Sequence, residues 1–149
     1  MPNRLQRLHK LIELAEMELD KAGQTFHYMQ NKLATEQGQV NSLLDYQADY
    51  AQQPISMGAI PAIQLQSRSA FSDKLNHAII AQQQQVEESE KMVEMAQSAW
   101  QEKRANLKAL QALYSRIENA ENARINRQEQ KLMDELSAQK FYQNQLKDR

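Results

Sequence analysis

The chain has 149 residues and a formal net charge of −1, with three glycines, three prolines and no cysteine. The lack of cysteine excludes disulfides and thiolate metal sites, and the mixed charges argue against duplex nucleic acid, which needs clustered Lys and Arg. Aromatic residues make up only 6% of a chain rich in Gln, Glu, Lys, Ala and Leu, so a long narrow helical seam is favoured over a compact globular core.

The first predicted helix spans residues 3–52. Apolar residues recur there at alternating spacings of three and four, which is the heptad pattern of a coiled-coil seam. Glu36 and Gln47 are the polar members of this seam, and Gly23 and Gly38 fall beside it or outside it. The predicted seam positions are Leu5, Leu8, Ile12, Ala15, Leu19, Ala22, Phe26, Met29, Leu33, Glu36, Val40, Leu43, Gln47 and Tyr50.

Turn signals are concentrated in one segment, which contains Pro54, Gly58 and Pro61. Proline lacks the backbone donor and clashes with the preceding helical turn, so the first helix is expected to end near Gln52. We predict a turn over 53–68 and a second helix from Ser69, whose hydroxyl suits an N-cap.

The second predicted helix spans residues 69–146 and has a seam that is partly polar. One row with a spacing of seven contains Ile79, Val86, Val93, Trp100, Leu107 and Tyr114. Its companion row contains Leu75, Gln82, Ser89, Ala96, Lys103, Leu110 and Ile117. After Ile117 the register fails, because the next seam positions become Glu121, Arg124 and Gln128.

The failing register agrees with an antiparallel pairing of the two helices. If the chain folds back on itself with Tyr50 opposite Phe71, then Leu5 lies opposite about Arg116, where the second heptad ends. The predicted fold class is all-α, a rod-like antiparallel two-helix coiled-coil hairpin in a single domain. The second helix would extend beyond its partner from about residue 118.

The same pairing sets Trp100 against Ala22 and Gly23. These two residues are small and Trp100 is the largest side chain of the seam, so the sizes complement each other.

The sequence contains none of the motifs that carry catalysis. It has no phosphate-binding glycine loop, no HExxH motif and no Cys nucleophile, and His9, His27 and His77 are interpreted as surface residues. We predict no catalytic residue, no cofactor, no metal site and no enzyme activity. No apolar run reaches the ~18 residues of a membrane span, and no signal peptide is evident, so a cytoplasmic location is expected.

Two groups of apolar residues exceed what the seam needs. At the hairpin end, Tyr46 and Tyr50 face Phe71 and Leu75; they either close the core or form a partner surface. At the other end, apolar residues beyond the seam either belong to a frayed tail or are covered by another protein. These are Leu11, Leu14, Met17, Ile125, Leu132, Met133, Leu136, Phe141, Tyr142 and Leu146.

Three sequence elements carry a family resemblance: LLDYQADY at 43–50, SAWQEK at 98–103 and QKLMDE at 130–135, together with Phe71, Leu75 and Ala78. With these elements the chain resembles the FliJ family, a coiled-coil component of the flagellar type III export apparatus. The resemblance implies an antiparallel two-helix coiled coil similar to the rotor shaft of F-type rotary ATPases.

The resemblance also implies partners and binding residues. The implied partners are the hexameric export ATPase FliI, the export gate protein FlhA, FliH and export chaperones, at the cytoplasmic face of the inner membrane. The family position that is often His is Gln82 here, which cannot titrate near neutral pH. The implied gate-binding residues are Leu43, Tyr46, Tyr50, Phe71, Leu75, Ala78 and Gln82. Those expected to enter the ATPase ring, from the shaft analogy and their lack of cover, are Leu11, Leu14, Met17, Ile125, Leu132 and Leu136.

The leading hypothesis is therefore a central-stalk-like coupling protein. It would bind the ATPase ring, promote its assembly and activity, and contact the export gate. One alternative is an adaptor that binds export chaperones without affecting ATP hydrolysis. Another is a generic structural coiled coil that associates with itself.

Overall fold

The computed structural model describes residues 3–53 and 62–148, and this part of the chain forms two long helices. Helix α1 spans Arg4–Ala51 and helix α2 spans Ala62–Lys147. The two helices pack against each other along their heptad seams, which confirms the predicted all-α antiparallel hairpin. The segment with Pro54, Gly58 and Pro61, which was predicted as the turn, lies outside the described residues.

Asn3 caps the start of α1 through a reciprocal pair of hydrogen bonds. The backbone N–H of Gln6 donates to Asn3 Oδ1 at 2.8 Å, and the N–H of Asn3 donates to Gln6 Oε1 at 3.2 Å. Each bond satisfies a donor that would have no partner within the helix. The cap fixes the helix start within one residue of the predicted position.

Helix α2 begins at Ala62, seven residues before the predicted start at Ser69. Ser69 therefore lies inside the helix and is not its N-cap. The intervening residues Ala62–Arg68 contain no Gly or Pro and are mostly good helix formers, so nothing in them stops the helix. The predicted start relied on the Ser69 hydroxyl as an N-cap and did not take account of the helix-forming residues before it.

The predicted seam of α1 is confirmed position by position. All fourteen predicted residues from Leu5 to Tyr50 are buried or half-buried, and Gly23 is the one further described residue of α1 that is not exposed. In α2 all thirteen predicted seam residues are likewise shielded, together with Arg68, Ser72 and Glu121. The seam of α2 thus extends beyond both predicted ends by one or two heptad positions.

Contacts group the chain into two compact units, each formed by parts of both helices. One unit comprises Met1–Glu18 and Arg104–Arg149, and the other comprises Leu19–Lys103. The organisation of the chain as a single domain stays a prediction.

The unit that comprises Leu19–Lys103 shows the antiparallel register most clearly. Its ring pairs join Tyr50 to Phe71 and Phe26 to Trp100, so positions earlier in α1 meet positions later in α2. A Cβ added to Gly23 would lie 3.5 Å from Cδ1 and Nε1 of Trp100. This contact confirms the predicted placement of the indole beside a small residue.

The unit that comprises Met1–Glu18 and Arg104–Arg149 continues the same antiparallel order. The rings of His9 and Tyr114 lie 6.4 Å apart, and Leu8, Ile12, Ala15 and Leu107 are buried. Every described residue of this unit from 122 to 148 is exposed, as expected for a helix without a partner.

Candidate partner-binding surfaces

An aromatic cluster lies where the end of α1 meets the start of α2. The rings of Tyr50 and Phe71 are 4.8 Å apart, and Tyr46 contacts Phe71 edge-on at 6.1 Å. We call Tyr46, Tyr50 and Phe71 the aromatic cluster. Edge-to-face and tilted contacts of this kind stabilise ring pairs beyond the area they bury.

Two of the three rings remain accessible. Tyr46 is 52% exposed and Phe71 is 37% exposed, whereas Tyr50 is half-buried. Ala78, which was predicted for the same surface, is also exposed. Accessible aromatic groups beside a small residue can be covered by a partner protein with a gain in apolar burial.

Leu43 and Leu75, two further predicted gate-binding residues, contribute mainly to the seam. Leu75 is only 7% exposed and Leu43 is half-buried. Both occupy heptad seam positions, so their side chains point toward the other helix.

Gln82 also points into the seam. Its side-chain amide donates hydrogen bonds to Gln39 Oε1 at 2.8 Å and to the backbone carbonyl of Glu36 at 3.4 Å. The Ser89 hydroxyl, which is buried, donates to a carboxylate oxygen of Glu36. These four residues form a layer of paired polar groups, which we call the polar layer.

The heptad pattern shows the polar seam positions of each helix, but it does not show that they contact one another. Glu36 on one helix and Gln82 and Ser89 on the other are among the polar interruptions of their seams, and the antiparallel pairing brings these three together. A buried polar group without a partner is costly, so matched interruptions are expected to face each other.

A second group of apolar side chains belongs to the unit that comprises Met1–Glu18 and Arg104–Arg149. All six residues predicted to enter the ATPase ring are exposed, and we call them, with their exposed neighbours on α2, the terminal surface. The surface consists of Leu11, Leu14, Met17, Ile125, Leu132, Met133, Leu136, Phe141, Tyr142 and Leu146.

Two pairs of ionisable side chains lie in the same unit as this surface. The guanidinium of Arg124 contacts Glu121 Oε1 at 2.6 Å, and this hydrogen bond, together with the attraction of the charges, holds the pKa of Glu121 below its ordinary value. His9 lies 3.1 Å from a Glu13 carboxylate oxygen one turn away. Among the described residues, no group of three or more His, Asp or Glu side chains could hold a metal ion.

Sequence reasoning missed some exposed residues and one contact. Ile63 and Leu65 are exposed on the first turns of α2, which had been assigned to the turn. Tyr28, Met92 and Met95 are exposed on outward heptad positions that carry no seam signal. Arg68, which donates a hydrogen bond to the Tyr50 carbonyl, lies in the same segment, and no sequence pattern indicated this contact.

Neither described helix contains a stretch that is both long and apolar enough to span a bilayer. This finding concerns residues 3–53 and 62–148 only.

Comparison with known proteins identifies the family. The model of the flagellar FliJ protein family matches residues 4–146. The chain is 30% identical to the flagellar FliJ protein of Escherichia coli strain K12 and 31% identical to that of Salmonella typhi. Each alignment spans 132 residues, which are 87% of this chain and 90% of the relative. The chain therefore belongs to the family of flagellar FliJ proteins.

Proposed function

We propose that the protein is a central-stalk-like coupling component of the flagellar export apparatus. In this proposal the terminal surface binds the ring of the export ATPase FliI, promoting its assembly and activity. The aromatic cluster, with Ala78, contacts the export gate protein FlhA. The protein would work in the cytoplasm, at the inner face of the membrane, with FliH and export chaperones as further partners.

Family membership supports a role in the flagellar export apparatus. The observation that carries the finer proposal is the long exposed apolar stripe on α2, from Ile125 to Leu146. A single helix with such a stripe is marginally stable in water, whereas a partner that covers the stripe would bury its apolar area.

The gate contact is tested with Tyr46→Ala combined with Phe71→Ala. Removing both exposed rings should weaken binding to a FlhA-type gate protein by at least about tenfold, because aromatic anchors dominate many interfaces. Isothermal titration calorimetry measures the binding, and circular dichroism verifies that the helices are retained. The matched control is Tyr28→Ala combined with Met92→Ala, which removes exposed side chains elsewhere on the same unit. Unchanged binding of the double aromatic variant would contradict the gate assignment.

The ATPase contact is tested by ending the chain after Glu121, the last shielded residue of the α2 seam. This variant should no longer stimulate ATP hydrolysis by a FliI-type ring. Because truncation also removes polar residues, Leu132→Ala combined with Leu136→Ala should reduce the stimulation as well. Met92→Ala combined with Met95→Ala is the control with a similar loss of exposed apolar surface.

An adaptor for export chaperones is the second candidate. It is favoured by the exposed side chains of Tyr28, Met92 and Met95, since flexible methionines suit surfaces that bind several partners. Binding of chaperones with no change in the ATPase rate would favour the adaptor over the stalk.

A further inference from the structure

Arg68 is the first residue of α2 that is shielded from solvent. Ala62 and the five residues after it are all exposed, whereas Arg68 is half-buried against the end of α1. A long cationic side chain in this place needs partners for its charge and its N–H donors.

Those partners are backbone carbonyls at the end of the other helix. Nη2 of Arg68 donates to the carbonyl oxygen of Tyr50 at 3.1 Å and to that of Gln53 at 3.2 Å. The last carbonyls of a helix lack partners within it and carry partial negative charge. The Tyr50 carbonyl also accepts from the backbone N–H of Gln53 at 3.3 Å, and Gln53 lies two residues beyond the end of α1. The last turn of α1 contains no basic residue of its own. Arg68 thus supplies the C-terminal cap of α1 from α2.

The same guanidinium also touches the aromatic cluster. Its central carbon lies 5.2 Å from the centroid of the Tyr50 ring, which is within the range of a cation–π contact. Tyr50 contacts Phe71 at 4.8 Å, and Phe71 contacts Tyr46 at 6.1 Å. A continuous series of contacts therefore leads from the capped helix end to the exposed rings.

We propose that Arg68 is a positioning residue for partner recognition at the aromatic cluster. It fixes the end of α1 and the plane of the Tyr50 ring together, and Tyr50 in turn holds Phe71 and Tyr46 in the arrangement that a partner meets. The proposal rests on the proposed function in one respect, namely that the cluster binds the export gate. The guanidinium holds its Cζ over the Tyr50 ring while its Nη2 donates to both carbonyls, whereas a lysine would have to reach the ring and the carbonyls from one nitrogen on a differently shaped side chain.

The test compares the full-length wild type with Arg68→Gln and Arg68→Lys. Arg127→Gln is the matched control, because it removes the same charge from an exposed arginine of the other unit. Three quantities are measured: the NMR signals of the Tyr50 and Phe71 rings, the thermal unfolding midpoint, and the Kd for a FlhA-type gate protein.

In Arg68→Gln the ring signals of Tyr50 and Phe71 should shift, while the signals of the distant Trp100 should not. Binding should weaken about two- to fivefold, the size expected from losing one cation–π contact. Arg68→Lys should recover part of the thermal stability, because an ammonium can still donate to a carbonyl. It should not recover the ring signals or the affinity, because one ammonium nitrogen cannot reproduce the guanidinium's separate contacts with the carbonyls and with the Tyr50 ring.

Two results would overturn the proposal. Ring signals unchanged in Arg68→Gln would show that Arg68 does not order the cluster. If the affinity falls with the thermal midpoint in Arg68→Gln and recovers with it in Arg68→Lys, Arg68 only caps the helix. If the wild type does not bind the gate protein, the proposed function fails on its own account, and the ring signals still decide whether Arg68 positions the cluster.

Discussion

At the scale of single residues, the two described glycines of α1 have different surroundings. Gly23 faces the indole of Trp100, whereas a Cβ on Gly38 would meet nothing within 4 Å. Both glycines lie within a regular helix, where glycine is less stable than alanine because it loses more backbone freedom on folding.

Gly38→Ala should therefore raise the free energy of unfolding by about 0.5–1 kcal/mol. Gly23→Ala should do so by at least as much, because its new methyl group would make an ordinary contact with Trp100 at 3.5 Å. Urea unfolding followed by circular dichroism measures both values. A destabilised Gly23→Ala variant would show that the indole cannot tolerate even a methyl group there.

Glu121 and Arg124 offer a second test at the same scale. The hydrogen bond from Arg124 lowers the pKa of Glu121, so the ion pair stabilises the fold above the ordinary glutamate pKa. This contribution is lost as the pH falls through the lowered pKa of the folded state. In Arg124→Gln the pKa of Glu121 should rise toward its ordinary value of 4.5.

The measurement is an NMR titration of the Glu121 side-chain carboxyl in both chains. The Arg124 side chain is 60% exposed and that of Glu121 is 45% exposed, so solvent screens the pair and the change in overall stability should be small. Equal titration midpoints in the wild type and in Arg124→Gln would show that the pair does not form in solution.

At the scale of elements, the heptad pattern predicted which residues of each helix are shielded. It succeeded because burial in a two-helix seam depends almost entirely on the position within the heptad. It failed at the start of α2, because helix starts depend on local capping, and Ser69 resembled a cap that the chain does not use. The pattern placed Gln82 in the seam, but it could not show that the Gln82 amide donates to Gln39 and Glu36 there.

The polar layer yields a prediction about the seam. Ser89→Ala removes the hydroxyl that donates to Glu36 and should lower the free energy of unfolding by about 1 kcal/mol, because the carboxylate loses a partner in a shielded place. Combining it with Glu36→Leu replaces both partners by apolar groups, so the double variant should regain or exceed the wild-type stability.

Ser98→Ala is the control, because this serine is exposed on the same helix. Urea unfolding of the wild type, Ser89→Ala, Glu36→Leu and the double variant measures the coupling between Glu36 and Ser89, with Ser98→Ala as a fifth chain. The prediction is contradicted if the double variant is less stable than Ser89→Ala. The stabilisation from the contacts of the polar layer would then exceed the cost of removing its polar groups from water.

At the scale of the whole molecule, the chain divides its apolar residues between the seam and the exposed surfaces. The seam residues are shielded where α1 and α2 pair, whereas the residues of the terminal surface are exposed. Stability of the hairpin and affinity for partners should therefore change independently when one set is altered.

A chain that ends after Glu121 makes this separation measurable. Every described residue that it removes is exposed, so the urea midpoint for unfolding of the paired helices should stay close to that of the full chain. Amides between residues 122 and 148 should exchange fast in the full chain alone, because an unpaired helix is only marginally stable. Leu107→Ala is the comparison variant from the seam. Because Leu107 is buried, this substitution should lower the free energy of unfolding by about 2–4 kcal/mol. If the truncated chain unfolds as easily as Leu107→Ala, the end of α2 stabilises the paired helices. Its apolar stripe would then have a structural role, and its exposure would no longer indicate a partner.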